Sequence, residues 1–312
     1  MLWKRGKHRE PQRLPGLSAL GVHHDGISLV TAQCDDQGRP VIENWAFKPC
    51  IHETARTGIL KELAEEYDLA RRRCSTLLNL EDYRLLLMEA PPVPREEMRE
   101  AVRWQLKDRI DFDPVATQID ICEFPGSPEG EDENKVFVAV ARKGPLLARV
   151  GLFEAAGIDV EIVDIPEMAM RNVAALLNEG NRGVAVLALD YDSTILTLSQ
   201  GVKLYMNREI QFGLNALVDE QDREMCIDRI VLEVRRSLDY FVSHFHQRPI
   251  EQLMLGPMPM EIPDIDAYFS ERLGLPATLV DIATLVPWRK AIPMSFCGKC
   301  FGAFGASLRV VM

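Results

Sequence analysis

The chain lacks a long apolar segment. No stretch of its 312 residues approaches the roughly 20 apolar residues that an α-helix needs to cross a bilayer. A secretory signal is also missing, because no apolar core segment follows the basic first residues and Pro11 and Pro15 interrupt them. We therefore expect a cytoplasmic protein.

Motifs for phosphate binding and for catalysis are absent as well. The chain has no GxxxxGK[ST] and no GxGxxG sequence, and no serine lies in a nucleophile-elbow context. Two histidine pairs occur, His23-His24 and His244 with His246. Histidines two positions apart on a helix point to different faces, so the second pair is a poor chelate. The first pair lies beside Asp25, where a solvated turn is favoured over a metal site.

Cysteines are few and scattered. Seven in a long chain, an odd number, are typical of reduced thiols in the cytosol. The one local pair is Cys297-Gly-Lys-Cys300. It has no second pair at a spacing that would complete a metal site, and a redox motif would need a preceding strand and a helix N-terminus beneath it. We interpret the pair as buried thiols and keep a thiol-redox function as a distant alternative.

Charge is unevenly distributed along the chain. The net charge of −11 argues against broad nucleic-acid binding. Residues 1–16 form a basic arm, in which five cations, Lys4, Arg5, Lys7, Arg9 and Arg13, oppose one acidic residue, Glu10. The arm could contact anionic lipid through these cations, with Leu2 and Trp3 at the bilayer interface. A solvated arm is the favoured interpretation.

Residues 91–125 predict a helix laid on a small sheet. Pro92 and Pro94 end a strand-like run, and the helix opens at Arg95 with acidic residues in its first turn. One apolar stripe follows at helical spacing: Met98, Ala101, Val102, Gln105, Leu106 and Ile110. The opposite face is charged and no catalytic cluster is present, so this segment predicts a docking module rather than an active site.

The remaining elements occur twice in the same order. Three strands, a helix and a further strand are predicted from residue 17, and a second three-strand opening is predicted from residue 184. A long helix is predicted over 222–245, and a short C-terminal helix over 302–311, after the cysteine pair. The two openings are similar in element order and not in residue identity.

Several segments resemble one protein family. AVRWQLKDRIDFDP (residues 101–114), followed by a strand and Phe124-Pro125, is similar to the MshI proteins of MSHA pilus biogenesis, relatives of the PilM proteins of type IV pilus machines. Other stretches match the family in the right order: residues 156–177, 204–213, 232–245 and 304–309. The ordered set covers nearly the whole chain.

The resemblance implies an α/β fold that is actin-like (ribonuclease-H-type) and two-lobed, with a small α+β docking domain inserted into the first lobe. Under this interpretation residues 17–80 open the first lobe, which residues of about 155–180 and 296–312 complete. The inserted domain comprises residues 81–154. The second lobe comprises residues 181–295.

The resemblance also implies a nucleotide site whose two hairpins this chain has altered. At the first hairpin, His23 stands where the family has a metal-side aspartate, and no lysine follows until Lys48. At the second, Asp190 is kept, but Tyr191 stands where a glycine would let the backbone approach phosphate.

The third nucleotide element departs from the family too. Gly256 is followed by Pro257, which has no N–H to donate, where the family has a second glycine. We therefore predict a pseudo-ATPase without a cofactor, in which Asp25, Gly26, Asp190 and Gly256 are turn residues of a degenerate cleft. The alternative is a working ATPase in which Mg-ATP gates partner binding.

Partner binding is the function that the resemblance implies. PilM relatives bind the cytoplasmic N-terminal tail of a bitopic inner-membrane protein that is PilN-like, which would recruit this chain to the inner membrane. A pilus assembly ATPase is a further candidate partner. Trp104, with Arg103 and Lys107, is the candidate anchor for the tail. The sequence leaves open whether Trp104 lines a groove or is a wedge in the core.

Overall fold

Two five-stranded sheets of the same topology lie at the centre of the protein. The computed structural model describes residues 13–126, 134–177, 182–218 and 220–310. The acidic stretch at residues 127–133 and the basic arm up to residue 12 lie outside the described residues. Each sheet has three antiparallel strands, extended from the first strand by two parallel strands. The repeated element order predicted from the sequence is confirmed.

The first sheet begins with three consecutive strands. The elements of this part are β1 (Leu17–Val22), β2 (Gly26–Cys34), β3 (Pro40–Pro49), α1 (Arg56–Glu66) and β4 (Arg73–Leu77). The residues of β1 are all buried, and so are the first seven of β2. These strands are covered on both faces, which explains why they read as nearly continuous apolar runs.

A three-stranded module follows, with β5 (Tyr83–Glu89), α2 (Met98–Gln105), β6 (Thr117–Glu123) and β7 (Lys135–Arg142) in the order β5-β7-β6. We call these four elements the inserted module. Helix α2 is shorter than predicted, since residues 95–97 after Pro94 form hydrogen-bonded turns. Val102 of α2 and Leu106 just after it are fully buried against the sheet, which confirms the direction of the apolar stripe at these positions, but Gln105 is exposed.

The chain then returns to the first sheet and crosses to the second. Helix α3 (Lys143–Glu154) contacts α1 and the strand β8 (Val160–Asp164), the last strand of the first sheet, and α4 (Pro166–Leu177) leads onward. The second half contains β9 (Gly183–Leu189), β10 (Thr194–Gln200), β11 (Lys203–Ile210), α5 (Leu214–Val218), α6 (Glu220–Phe245), β12 (Leu253–Leu255), α7 (Ile265–Leu273), β13 (Ala277–Leu279), α8 (Ile282–Leu285) and α9 (Met294–Ser307).

Two helices cross between the sheets and join the halves. Helix α4 packs on β9 and β10, while α9, from the chain end, packs on β1, β2 and β4 of the first sheet. Where the helices cross, Gly305 is so close to Ala169 that a Cβ at position 305 would lie 2.4 Å from the Ala169 carbonyl oxygen. The buried Asn172 donates to the Gly305 carbonyl at 2.9 Å. The helix that follows the first sheet thus packs on the second sheet, and the helix at the chain end packs on the first.

The inserted module packs against the second half through aromatic side chains. The Phe124 ring lies at the centre of this contact: its centroid is 5.7 Å from that of Phe137, 6.0 Å from that of Tyr205 on β11 and 5.3 Å from that of Phe245 on α6. Along β7 the side chains alternate, so that Phe137 faces this cluster and Val138 faces α2. The module's sheet is therefore buried on both faces.

A buried carboxyl lies where the module meets both halves. The Tyr83 hydroxyl of β5 donates to Glu167 of α4, which is only 4% exposed, beside a cavity of about 160 Å³ that Glu209 of β11 also lines. Burial raises the pKa of Glu167 to about 7, and the nearby Glu209 and Asp164 carboxylates act in the same direction. The Tyr83 hydrogen bond lowers the pKa and only partly offsets the burial.

This raised pKa predicts a stability that falls with rising pH. Between about pH 4.5 and about pH 7 the folded protein keeps a proton on Glu167 that the unfolded chain releases. The free energy of unfolding should therefore decrease by up to about 1.4 kcal/mol per pH unit in this window. Glu167→Gln should remove that slope, as measured by urea unfolding at several pH values, while the exposed-site control Glu123→Gln should retain it. An unchanged slope in Glu167→Gln would contradict the assignment.

Candidate functional site

Two hairpin turns face each other across the cleft between the sheets. The β1–β2 turn carries Asp25 and the β9–β10 turn carries Tyr191, whose hydroxyl lies 3.4 Å from the Asp25 carboxylate. The ring of His24 meets the Tyr191 ring edge-on, with centroids 4.3 Å apart. The structure thus brings together the two altered hairpins that the sequence singled out.

A lysine that the sequence analysis missed lies between the hairpins. Lys299 of α9 donates through Nζ to the Asp25 carboxylate and to the Tyr191 hydroxyl, and its side chain is only 14% exposed. The same Nζ lies 5.7 Å from the centre of the Phe47 ring. The sequence places no lysine after the first hairpin before Lys48, but the structure brings a cation to this hairpin from the C-terminal helix.

Lys299 and Asp25 form an ion pair in which each group shifts the pKa of the other. Burial alone would lower the pKa of Lys299, but the hydrogen bonds to Asp25 and Tyr191 outweigh it and raise the pKa. Burial raises the pKa of Asp25, but the Lys299 ammonium outweighs this effect and holds the pKa below its ordinary value. Each partner favours the charged form of the other, so the pair stays ionised at neutral pH.

His23 is held inside the first hairpin. Its Nε2 lies 2.8 Å from the Ser28 hydroxyl, and burial lowers its pKa, an effect that the Asp190 and Asp25 carboxylates partly oppose. The interpretation as a solvated turn is therefore wrong for His23, whereas His24 is exposed. At neutral pH the His23 side chain is therefore a neutral imidazole bonded to a hydroxyl.

A glycine does support the second hairpin, from a different part of the chain. A Cβ at Gly213 would lie 2.4 to 2.6 Å from backbone atoms of Asp190, Asp192 and Ser193. The turn after β11 therefore packs directly on this hairpin. Asp190 is exposed, and its carboxylate accepts a hydrogen bond from the Tyr191 backbone N–H at 2.8 Å.

Helix α9 also packs against the third nucleotide element, at Gly256. The Gly256 N–H donates to the Leu187 carbonyl at 2.8 Å, and a Cβ at position 256 would lie 2.9 Å from the Phe301 ring. Phe301 and Lys299 belong to the same helix, so α9 reaches all three elements of the cleft. Chemically, the cleft offers one ammonium, one carboxylate bound to it and one phenol.

The cysteine pair lies within this helix. The prediction that Cys297 and Cys300 precede the C-terminal helix is wrong, because α9 begins at Met294 and includes both. Both thiols are buried, as interpreted from the sequence, and burial raises their pKa values to about 11 and about 12. Such thiols are protonated at neutral pH and are poor nucleophiles. Among the described residues, no group of three or more His, Cys, Asp or Glu side chains could hold a metal ion.

Trp104 projects from the inserted module into solvent. Its side chain is 78% exposed, so the alternative of a core wedge is wrong. Arg103 turns inward, donating to the Pro114 carbonyl at 2.7 Å and to Thr117, while Lys107 is exposed. Of the three candidates, Trp104 and Lys107 are therefore exposed, whereas Arg103 is bound to the module's own backbone.

Further exposed apolar residues border the module near α3. Val115 is 72% exposed, and its carbonyl accepts a hydrogen bond from Lys143 of α3 at 3.4 Å. Leu147, one turn further along α3, is also exposed. Strand β6 begins two residues after Val115 and pairs with β7 on one side, and no described strand pairs with its other edge. This border combines an open strand edge with apolar side chains.

The described part of the chain holds no helix long and apolar enough to cross a membrane.

The ion pair in the cleft predicts a measurable contribution to stability. Lys299→Met leaves the largely buried Asp25 carboxylate without its ammonium partner and should lower the free energy of unfolding by about 1–3 kcal/mol. Lys48→Met, which breaks the exposed Lys48–Glu66 pair, is the matched control and should lower it by less than about 1 kcal/mol. Urea unfolding of both variants measures the difference. Equal effects of the two changes would show that the cluster is no more than a surface contact.

Comparison with known proteins gives a partial family match. A family model of the type IV pilus assembly protein PilM matches residues 87–226, which include the end of β5, α2, β6, β7 and the start of the second half. One similar solved structure is a PilM–PilN type IV pilus biogenesis complex, at 21% identity and a TM-score of 0.75, with 97% of this chain and 100% of that chain covered.

Two other solved structures share the architecture at lower similarity. The cytoplasmic domain of EpsL, an inner-membrane component of the type II secretion system of Vibrio cholerae, matches at 11% identity and a TM-score of 0.52 over 94% of both chains. The ethanolamine utilization protein EutJ from Carboxydothermus hydrogenoformans matches at 12% identity and a TM-score of 0.50, with 96% of this chain and 91% of that chain covered. The predicted actin-like α/β fold is confirmed, and over residues 87–226 the chain is similar to PilM.

Proposed function

We propose that this chain is a cytoplasmic scaffold protein of a type IV pilus, of the MSHA type, or of a related secretion machine. It binds the N-terminal cytoplasmic tail of a PilN-like inner-membrane protein and is held at the membrane through that partner. The similarity to PilM over residues 87–226, and the likeness to a structure of PilM with PilN, support this proposal. The observation that carries it is Trp104, a large aromatic exposed on the matched segment.

The proposed mechanism is capture of an extended peptide beside the module. The open edge of β6 offers backbone N–H and C=O groups to an added strand. Trp104 and Val115 supply apolar area that the peptide would remove from water, at about 25 cal/mol per Å². Arg103 fixes the turn before β6 through its bonds to Pro114 and Thr117, so the surface is rigid before the peptide arrives. Lys107 would steer acidic residues of the tail.

The proposed scaffold has a degenerate nucleotide cleft. Asp25, the acidic residue of the first hairpin, is already bound to Lys299, and the Tyr191 side chain lies between the hairpins. Mg-ATP would have to break this ion pair and displace the tyrosine before its phosphates reached the backbone. The loss of the pair and of the packing around it opposes nucleotide binding.

The alternative function, an ATPase whose nucleotide gates tail binding, has two observations in its favour. Lys299 supplies a cation beside both hairpins, and Gly213 allows close backbone packing at the second. Both residues lie outside the hairpin sequences: Lys299 on α9 and Gly213 after β11. A thiol-redox function has less support, because Cys297 and Cys300 are buried thiols with raised pKa values.

Tail capture predicts that Trp104→Ala weakens binding of the partner peptide. The probe is a synthetic peptide with the cytoplasmic N-terminal tail of the PilN-like protein from the same organism. Loss of a hot-spot tryptophan should cost roughly 2 kcal/mol or more, about 30-fold in Kd, by calorimetry. The control is Ile51→Ala, because Ile51 is equally exposed but lies outside the module. Unchanged affinity in folded Trp104→Ala protein would refute this docking surface.

The degenerate cleft predicts negligible nucleotide binding. Calorimetry of the pure protein with Mg-ATP should show no dissociation constant below roughly 1 mM, about 4 kcal/mol. A micromolar constant that is lost in Asp190→Asn would instead support the ATPase alternative. The peptide experiment, repeated with and without Mg-ATP, then measures whether nucleotide gates the tail.

A further inference from the structure

Helix α6 carries an apolar stripe on its solvent side. On its inner side the side chains of Ile227, Ile230 and Val234 are fully buried. On the outer side Met225 is 49% and Leu232 47% exposed, and they share an open surface with Glu224, Asp228 and Arg229. Single exposed apolar residues are common on protein surfaces and need no explanation. These two are seven positions apart, so they project from the same face two helical turns apart.

The two charged residues between the apolar ones, Asp228 and Arg229, have opposite signs. Asp228 and Arg229 are both exposed and lie at the middle of the stripe. We call Met225, Asp228, Arg229 and Leu232 the α6 stripe. An antiparallel copy of the helix, crossing on a two-fold axis between positions 228 and 229, would place Met225 against the copy's Leu232 and Asp228 against the copy's Arg229. The stripe is thus complementary to itself.

We propose that a second copy of this chain binds at the α6 stripe, giving a two-fold homodimer. In a two-fold interface the same patch serves both subunits, so every contact occurs twice. A partner with a uniform charge at this face would match only one of the two central residues and leave the other opposed by a like charge or desolvated. The alternating order therefore favours a second copy over an acidic or a basic partner.

Both charged residues of the stripe are held in place before association. Asp228 Oδ1 lies 2.9 Å from Nε of Arg272 on α7. The Arg229 guanidinium lies 5.3 Å from the centre of the Phe212 ring. Side chains already ordered in the monomer lose less conformational entropy on binding. The contact is one helix wide, so the dimer belongs to the small, weak class of interfaces and should dissociate in the micromolar range.

Charge reversal gives the decisive experiment. The measurement is sedimentation velocity of the full chain between about 1 µM and about 200 µM, a range that spans a micromolar constant. Wild type should shift from monomer to dimer. Asp228→Arg and Arg229→Asp should each weaken dimerisation at least about 30-fold, since each places like charges in contact. An equimolar mixture of the two variants should dimerise again, because the arginine introduced in one chain then faces the aspartate introduced in the other.

Further variants separate this face from a general loss of solubility or folding. Leu232→Glu should abolish the dimer, and Leu279→Glu, at another exposed apolar position on β13, should leave it unchanged. Circular dichroism and thermal unfolding verify that each variant is folded. The proposal is overturned if wild type stays monomeric throughout, if Leu279→Glu acts like Leu232→Glu, or if the mixture of folded charge variants stays monomeric.

Discussion

The close crossing of α4 and α9 is the contact on which the rest of the structure depends. It requires position 305 to have no side chain, because the Ala169 carbonyl occupies the space that a Cβ would fill. Since α4 packs on the second sheet and α9 on the first, this crossing fixes the sheets relative to each other. The same position of α9 brings Lys299 between the two hairpins and Phe301 against Gly256. The cleft is therefore a consequence of how the halves are joined.

Much of the fold is predictable from the sequence because its strands and helices follow local patterns. The repeated strand openings, α6 and the inward stripe of α2 all follow from apolar spacing. The site was less predictable, because its members are far apart in the chain: Asp25 and Lys299 meet across 274 positions. One local signal was available, since Lys299 is the only charged residue of α9. A single charge in an apolar helix needs a partner.

The side chains at this cleft come partly from outside the local motifs that define it in a sequence. The sequence drew attention to His23, Tyr191 and Pro257, whereas the structure adds Gly213 at the second hairpin and Lys299 between the two hairpins. Side-chain chemistry at a cleft can move between elements while the backbone stays the same. The balance between a scaffold and an ATPase therefore depends on whether the Lys299–Asp25 pair opens, which is a question of free energy and not of motif.

Strand β7 gives the protein a route for coupling between distant surfaces. Its Val138 belongs to the apolar cluster under α2, the helix that carries Trp104, and the adjacent Phe137 packs on Phe124, whose ring centre lies 5.3 Å from that of Phe245 on α6. A ligand that shifts α2 would therefore reach α6 through β7 and Phe124. Thermodynamic reciprocity then applies: whatever factor a peptide on the module contributes to affinity at α6, occupancy at α6 returns to the peptide.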